Sequence, residues 1–166
     1  MKTFIKFVII SALGVLFHFL YQWSGENILV GFFTSINEST WEHLKLLFFP
    51  MLFVTIFEIV VLKKKIQVFL PARTLGILSG MLFIVVTFYT FWGISGRLVD
   101  FINISIYFFA VYFALIMENC YIPRRKLPDA SVCVTLLIAF VILFIIFTLN
   151  SPGVGIFYDL SQHPNS

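Results

Sequence analysis

Charge is what this chain has least of. Asp, Glu, Lys and Arg make up 11% of its 166 residues, against about 25% in a soluble domain. That scarcity excludes a sizeable water-soluble domain, because no polar stretch is long enough to supply its surface. Cysteine is nearly absent too. Cys120 and Cys133 flank one expected turn on a reducing face, which fits neither a disulfide framework nor a zinc module. There is no Gly-rich phosphate loop, no nucleophile elbow around a serine and no His-Glu-x-x-His. The three histidines are His18, His43 and His163, the last in a polar tail where solvation accounts for it.

Basic character does not point to nucleic acid. The net charge is +3 and the pI about 9.0, but the cations gather at helix ends, where lipid headgroups meet them. No nucleic-acid partner is expected; membrane lipid is.

What the chain has is apolar length. Hydrophobic residues make up 60% of it, including 22 Phe, and the mean hydropathy is +1.02. Runs of about twenty apolar residues match the hydrocarbon core of a bilayer. Five fit, at about 3–23, 41–62, 74–93, 99–120 and 130–149. The first begins like a signal peptide, but its apolar stretch continues past His18 without a small-x-small cleavage site, so it is read as an uncleaved helix. The expected fold is all-α: a single integral membrane domain of about five transmembrane helices.

Lys and Arg set the expected orientation. With the N-terminus inside, the inner face collects Lys2, Lys6, Lys63, Lys64, Lys65, Arg73, Arg124, Arg125 and Lys126, leaving Lys45 and Arg97 outside. The positive-inside rule therefore gives N-in, C-out, and the short loops suit a bacterial cytoplasmic membrane. Glu58 and Glu118 fall towards the inner side, where pairing with the neighbouring basic turns or snorkelling explains them. Gly76-x-x-x-Gly80 would admit a close neighbouring backbone, and Pro50 should kink the second span.

The densest polar run opens the second span: Asn37-Glu38-Ser39-Thr40-Trp41-Glu42-His43-Leu44-Lys45. Much of it has a structural explanation. Ser39 and Glu42 have capping-box spacing, Trp41 suits an interfacial anchor, and Lys45 can snorkel outward. The loop before it, Ser24–Thr40, is apolar enough to lie in the interface or fold back over the bundle. Capping leaves Asn37, Glu38 and His43 unexplained, and His18 as well. In the N-in topology His18, Glu38, Glu42, His43 and Asp100 share one depth near the outer interface. Asn103 lies a turn from Asp100 on the same face, and Tyr89 and Thr90 are close in depth. Ionisable groups there cost a few kcal/mol each unless paired or hydrated, so they are expected to share one outward-facing polar pocket. Asn37, Glu38, Glu42, Asp100 and Asn103 are its expected ligand-binding residues. His18 and His43 are candidate ligands for Zn²⁺ or a similar ion, and Glu38 or Glu42 a candidate catalytic base.

The run Asn37 to Pro50 resembles an uncharacterised family of small prokaryotic multi-spanning membrane proteins with an NES-x-WEHLK-type motif at the start of the second span. His18-Phe19-Leu20-Tyr21-Gln22-Trp23-Ser24-Gly25 is similar to that family as well, and Pro152-Gly153-x-Gly155-Ile156-Phe157-x-Asp159 more loosely. The resemblance implies a membrane architecture and no assigned activity. Three functional readings follow. The first is a membrane protein whose outward-facing pocket binds an ion, a small ligand or a lipid headgroup. The second is a membrane-embedded, metal-dependent hydrolase. The third is a small subunit of a transporter complex docking through the Gly76/Gly80 face, with a homo-oligomer or another membrane subunit as partner.

Overall fold

The structure is a computed structural model that describes residues 1–97, 99–122 and 127–159. Arg124, Arg125, Lys126 and His163 lie outside the described residues. Five long helices carry the fold: α1 (Thr3–Trp23), α3 (Thr40–Val60), α4 (Ile66–Ser95), α5 (Asp100–Tyr121) and α6 (Ala130–Leu149). A short helix, α2 (Ile28–Gly31), and a 3₁₀ turn (Gly155–Phe157) complete it. No strand occurs among the described residues. All five long helices are long and apolar enough to cross a membrane.

Four of the five match the sequence reading to within about two residues at each end. The exception is α4, which begins at Ile66, eight residues before the expected Thr74, and contains Pro71 and Arg73. A proline followed by an arginine reads as a loop when no partner is in view. Here Arg73 is neutralised inside the bundle, so the helix runs through it.

The central helix is α3. Of its most apolar eighteen-residue window 61% is buried, against 22–28% for the other four. Those four present Phe4, Leu82, Phe109, Ile138 and similar side chains outward, as a lipid-facing surface requires. Trp41 is buried among Phe144, Phe147 and Phe157, with ring centroids 4.9, 5.4 and 4.9 Å away. It ties α3 to α6 and the 3₁₀ turn rather than anchoring at an interface.

Small residues set the closest approaches. A Cβ on Gly76 would lie 2.7 Å from the Ala114 carbonyl oxygen, and one on Gly80 2.9 Å from the Ala114 Cβ. The Gly76/Gly80 face is therefore filled by α5 of the same chain, which removes it as a docking surface for another subunit.

A second tight seam joins α1, α3 and α5. Pro50 has no N–H, so the Leu46 carbonyl one turn earlier loses its helical donor. The Tyr107 hydroxyl lies 3.4 Å from that carbonyl and 3.2 Å from the Ile10 carbonyl. Gly14 makes the room: a Cβ there would fall 1.8 Å from the Tyr107 hydroxyl.

Candidate functional site

Polar groups concentrate at the two ends of the bundle. One end carries the loops joining α1 to α3 and α4 to α5; the other carries the N-terminus.

At the loop end, the residues before α3 build a compact scaffold. The Ser39 hydroxyl accepts from the Glu42 backbone N–H at 3.3 Å, satisfying one free donor of the first turn. The reciprocal half of a capping box is absent. Instead the Ser39 N–H donates to Asn37 Oδ1 at 3.0 Å, and the Glu42 carboxylate accepts from the Ile36 N–H at 3.0 Å. Lys45 does not snorkel. It is fully buried, and its Nζ donates to Glu42 Oε2 (2.7 Å), Thr148 Oγ1 (2.5 Å) and the Gly31 carbonyl (3.0 Å). The α1–α3 loop thus folds back onto the bundle, stapled by one ammonium. Asn37 and Glu42 are both engaged in holding that loop.

The scaffold leaves Glu38 free and directs it at two imidazoles. Its Oε2 is 3.3 Å from His43 Nε2 and its Oε1 3.8 Å from His18 Nε2. The His18 and His43 ring centroids are 5.6 Å apart. One ligand atom from each of His18, Glu38 and His43 lies within 4.8 Å of the others. The two histidine side chains are about one-third exposed and Glu38 about half. Zn²⁺ with bonds of about 2.0–2.1 Å in tetrahedral array sets its donors about 3.3 Å apart. The His43–Glu38 pair already has that spacing, and His18 Nε2 stands 3.8 Å from Glu38 Oε1.

The protonation of His43 follows from its second nitrogen. Nδ1 lies 2.9 Å from the Ser39 carbonyl oxygen, an acceptor only, so Nδ1 carries a proton and donates. Nε2 is then either a second N–H or a bare lone pair. A bare lone pair facing a carboxylate at 3.3 Å is repulsive, so a proton or a cation belongs between them. Locking a histidine through Nδ1–H to a carbonyl is also how metal-ligating imidazoles are oriented. His18 Nδ1 is buried with no hydrogen-bond partner, so nothing fixes its tautomer. His43 beside Glu38 holds the Glu38 carboxyl below the usual carboxylate range, through its hydrogen bond first and its charge second, against partial burial. The start of α3 reinforces this, since helix N-termini favour negative charge.

The remaining expected pocket residues stand apart. Asp100 is exposed in the first turn of α5 and Asn103 half-buried one turn on. Among the described residues no hydrogen bond or ion pair links either to the histidines. Tyr89 meets the Thr40 hydroxyl at 3.5 Å, and Thr90 is exposed.

The amino-terminal end holds a charge cluster drawn from residues far apart in the sequence. Arg73 Nη2 is 2.5 Å from Glu58 Oε2, and Arg73 Nε is 2.7 Å from Glu118 Oε2. Lys6 Nζ is 2.6 Å from Glu118 Oε1 and 3.9 Å from Glu58 Oε2. These four groups form a closed ring of alternating charge drawn from α1, α3, α4 and α5. Glu58, Arg73 and Glu118 are 0% exposed and Lys6 5%. Glu58 and Glu118 are therefore buried and paired with Arg73 and Lys6 rather than snorkelling, and Arg73 and Lys6 are not headgroup cations. The N-terminal amine lies 3.7 Å from Glu58 Oε1, and the Phe69 ring lies 5.0 Å from the Arg73 guanidinium.

Residues 2–163 match the family described as Family of unknown function (DUF6512), and the chain belongs to it. No curated protein and no solved structure matches the chain.

Proposed function

We propose that this member of a family of unknown function is a multi-pass membrane protein that binds a divalent cation of the Zn²⁺ class at His18, Glu38 and His43. One observation carries the reading. Two imidazoles from separate helices and one carboxylate converge, with His43 Nε2 and Glu38 placed so that positive charge must sit between them. A single divalent ion would give all three donors a partner, including His18, whose Nε2 stands 3.8 Å from Glu38 Oε1. Three protein ligands leave a coordination position open for water or a second molecule. With most cations at the amino-terminal end, the positive-inside rule supports N-in, C-out in a cell membrane such as a bacterial cytoplasmic membrane, so the site faces outward.

The hydrolase reading loses support at its base. Glu42 is tied to Lys45 and the Ile36 N–H, and Glu38 is consumed as a ligand. Binding, rather than turnover, is what the site is equipped for.

The test is metal content by mass spectrometry after purification in detergent without chelator, beside a His18→Ala/His43→Ala variant. Near-stoichiometric zinc or another transition metal, lost in the folded variant, is expected. A metal-free wild-type protein that also takes none up on titration would overturn the reading and leave an imidazolium–carboxylate pair.

A further inference from the structure

The ring of Lys6, Glu58, Arg73 and Glu118 needs a reason beyond holding helices together. Buried ion pairs are weak contributors to stability, and apolar side chains of similar volume often do as well or better. Ionisable groups inside a membrane bundle are costly, pair with one another, and mark ion pathways and relays. The ring also sits at one end only. The opposite end carries the partly exposed His18–Glu38–His43 group, so the bundle is open to water at one polar cluster and sealed at the other.

Between the clusters lies a group of oxygens at one level of the bundle. On α1, Lys6 and His18 lie twelve residues apart, about 18 Å at 1.5 Å per residue, with buried Ile10, Ser11 and Gly14 between them. Midway, the Tyr107 hydroxyl is within 3.5 Å of the Ile10, Ser11 and Leu46 carbonyls. The Leu46 carbonyl is there because Pro50 removed its helical donor. The Ser11 hydroxyl beside them is buried without a hydrogen-bond partner, and burying such a group unpaired is costly. The Leu46 carbonyl, which lacks its helical donor, and the Tyr107 and Ser11 hydroxyls are oxygens outside the helix ladder, the kind by which membrane proteins replace the water around a passing cation.

We propose that the ring is a gate at the amino-terminal end of a cation path along the α1–α3–α5 seam, and that the protein moves the divalent cation captured at His18, Glu38 and His43 across the bilayer. The inference rests on the metal-site reading above. In this structure the gate is closed. Opening it requires Lys6 and Arg73 to part from Glu58 and Glu118, which frees two carboxylates to receive the cation as it leaves.

The experiment uses the full chain reconstituted in phosphatidylcholine–phosphatidylglycerol vesicles with an entrapped zinc fluorophore, and Zn²⁺ added outside. Zinc binding by the same preparation is titrated in detergent. Wild-type protein should fill the vesicles well above the protein-free rate, and His43→Ala should fall back to that rate. Tyr107→Phe, which spares the ring, should slow entry while leaving binding intact. A folded Lys6→Met/Glu118→Gln variant, lacking one charge pair of the gate, should admit zinc faster. Wild-type protein that binds zinc but leaves the vesicles dark would overturn transport and spare the site. Failure to bind zinc would remove both. Entry that persists in His43→Ala, or is unchanged in both the seam and ring variants, would also overturn the path.

Discussion

Replacing Arg73 with Met is the severest single test of how this bundle is held. Met keeps the apolar stem of Arg73 and drops its guanidinium, so the main loss is electrostatic. The ring contains two cations and two carboxylates, all essentially shielded from solvent. Without Arg73, Glu58 and Glu118 share Lys6, which is 3.9 Å from one and 2.6 Å from the other. Glu58 is then left with only the longer contacts to Lys6 and to the N-terminal amine, 3.7 Å away, and breaking a buried pair this way costs about 3–5 kcal/mol. Adding Glu118→Gln restores the balance, with Lys6 facing Glu58 alone. The double variant should therefore be more stable than the sum of the two single losses predicts, by about 1–3 kcal/mol. Equilibrium unfolding in mixed micelles, titrated with SDS and followed by circular dichroism, measures all three. An Arg73→Met loss under about 1 kcal/mol, or strictly additive losses, would refute the reasoning.

Lys45→Met should leave the buried Glu42 carboxylate unpaired, at a cost again of about 3–5 kcal/mol; amide exchange should quicken over residues 31–36, and unchanged exchange would show that Lys45 is not the staple. Gly14→Ala should cost about 1–3 kcal/mol by overpacking, and Tyr107→Phe about 1 kcal/mol through its lost hydrogen bonds. Combined, the two should cost less than their sum, since removing the hydroxyl relieves the nearest clash; additivity would count against the seam. Glu38 offers a pH test. Its folded-state pKa is depressed, so the stabilisation it gives is present above the unfolded carboxylate pKa and is lost as pH falls through the lower folded value. Its carboxyl carbon, followed by NMR in metal-free protein, should titrate below the usual carboxylate range in wild type and return towards it in His43→Ala. No difference between the two would contradict the contact.

Much of this was legible in the sequence, for physical reasons. Apolar run length reports spans directly, so α1 and α6 emerge with their boundaries. Depth follows from topology, and that is why His18 and His43, separated by twenty-five positions, could be assigned to one level. Rotation about each helix axis is not legible in the same way. Asp100 and Asn103 share the depth of the histidines but are not turned to them, and Lys45 points inward at Thr148 rather than out to water. The buried ring was missed because Lys6 and Arg73 lie near helix ends, where the positive-inside rule accounts for any cation. A signal was nonetheless present. Glu58 and Glu118 lie inside apolar helices at the same end, and two carboxylates at that depth require two cations beside them. Tyr107 carries no such mark; only the missing donor at Pro50, one turn beyond Leu46, announces that some hydroxyl must reach that carbonyl.

The most direct test of the central claim is X-ray absorption at the zinc edge on detergent-purified protein loaded with one equivalent of Zn²⁺. The metal site at His18, Glu38 and His43 predicts two imidazole nitrogens and at least one oxygen at about 2.0–2.2 Å, with the imidazole scattering lost in His18→Ala/His43→Ala. A spectrum without imidazole scattering, or one unchanged in that variant, would contradict it.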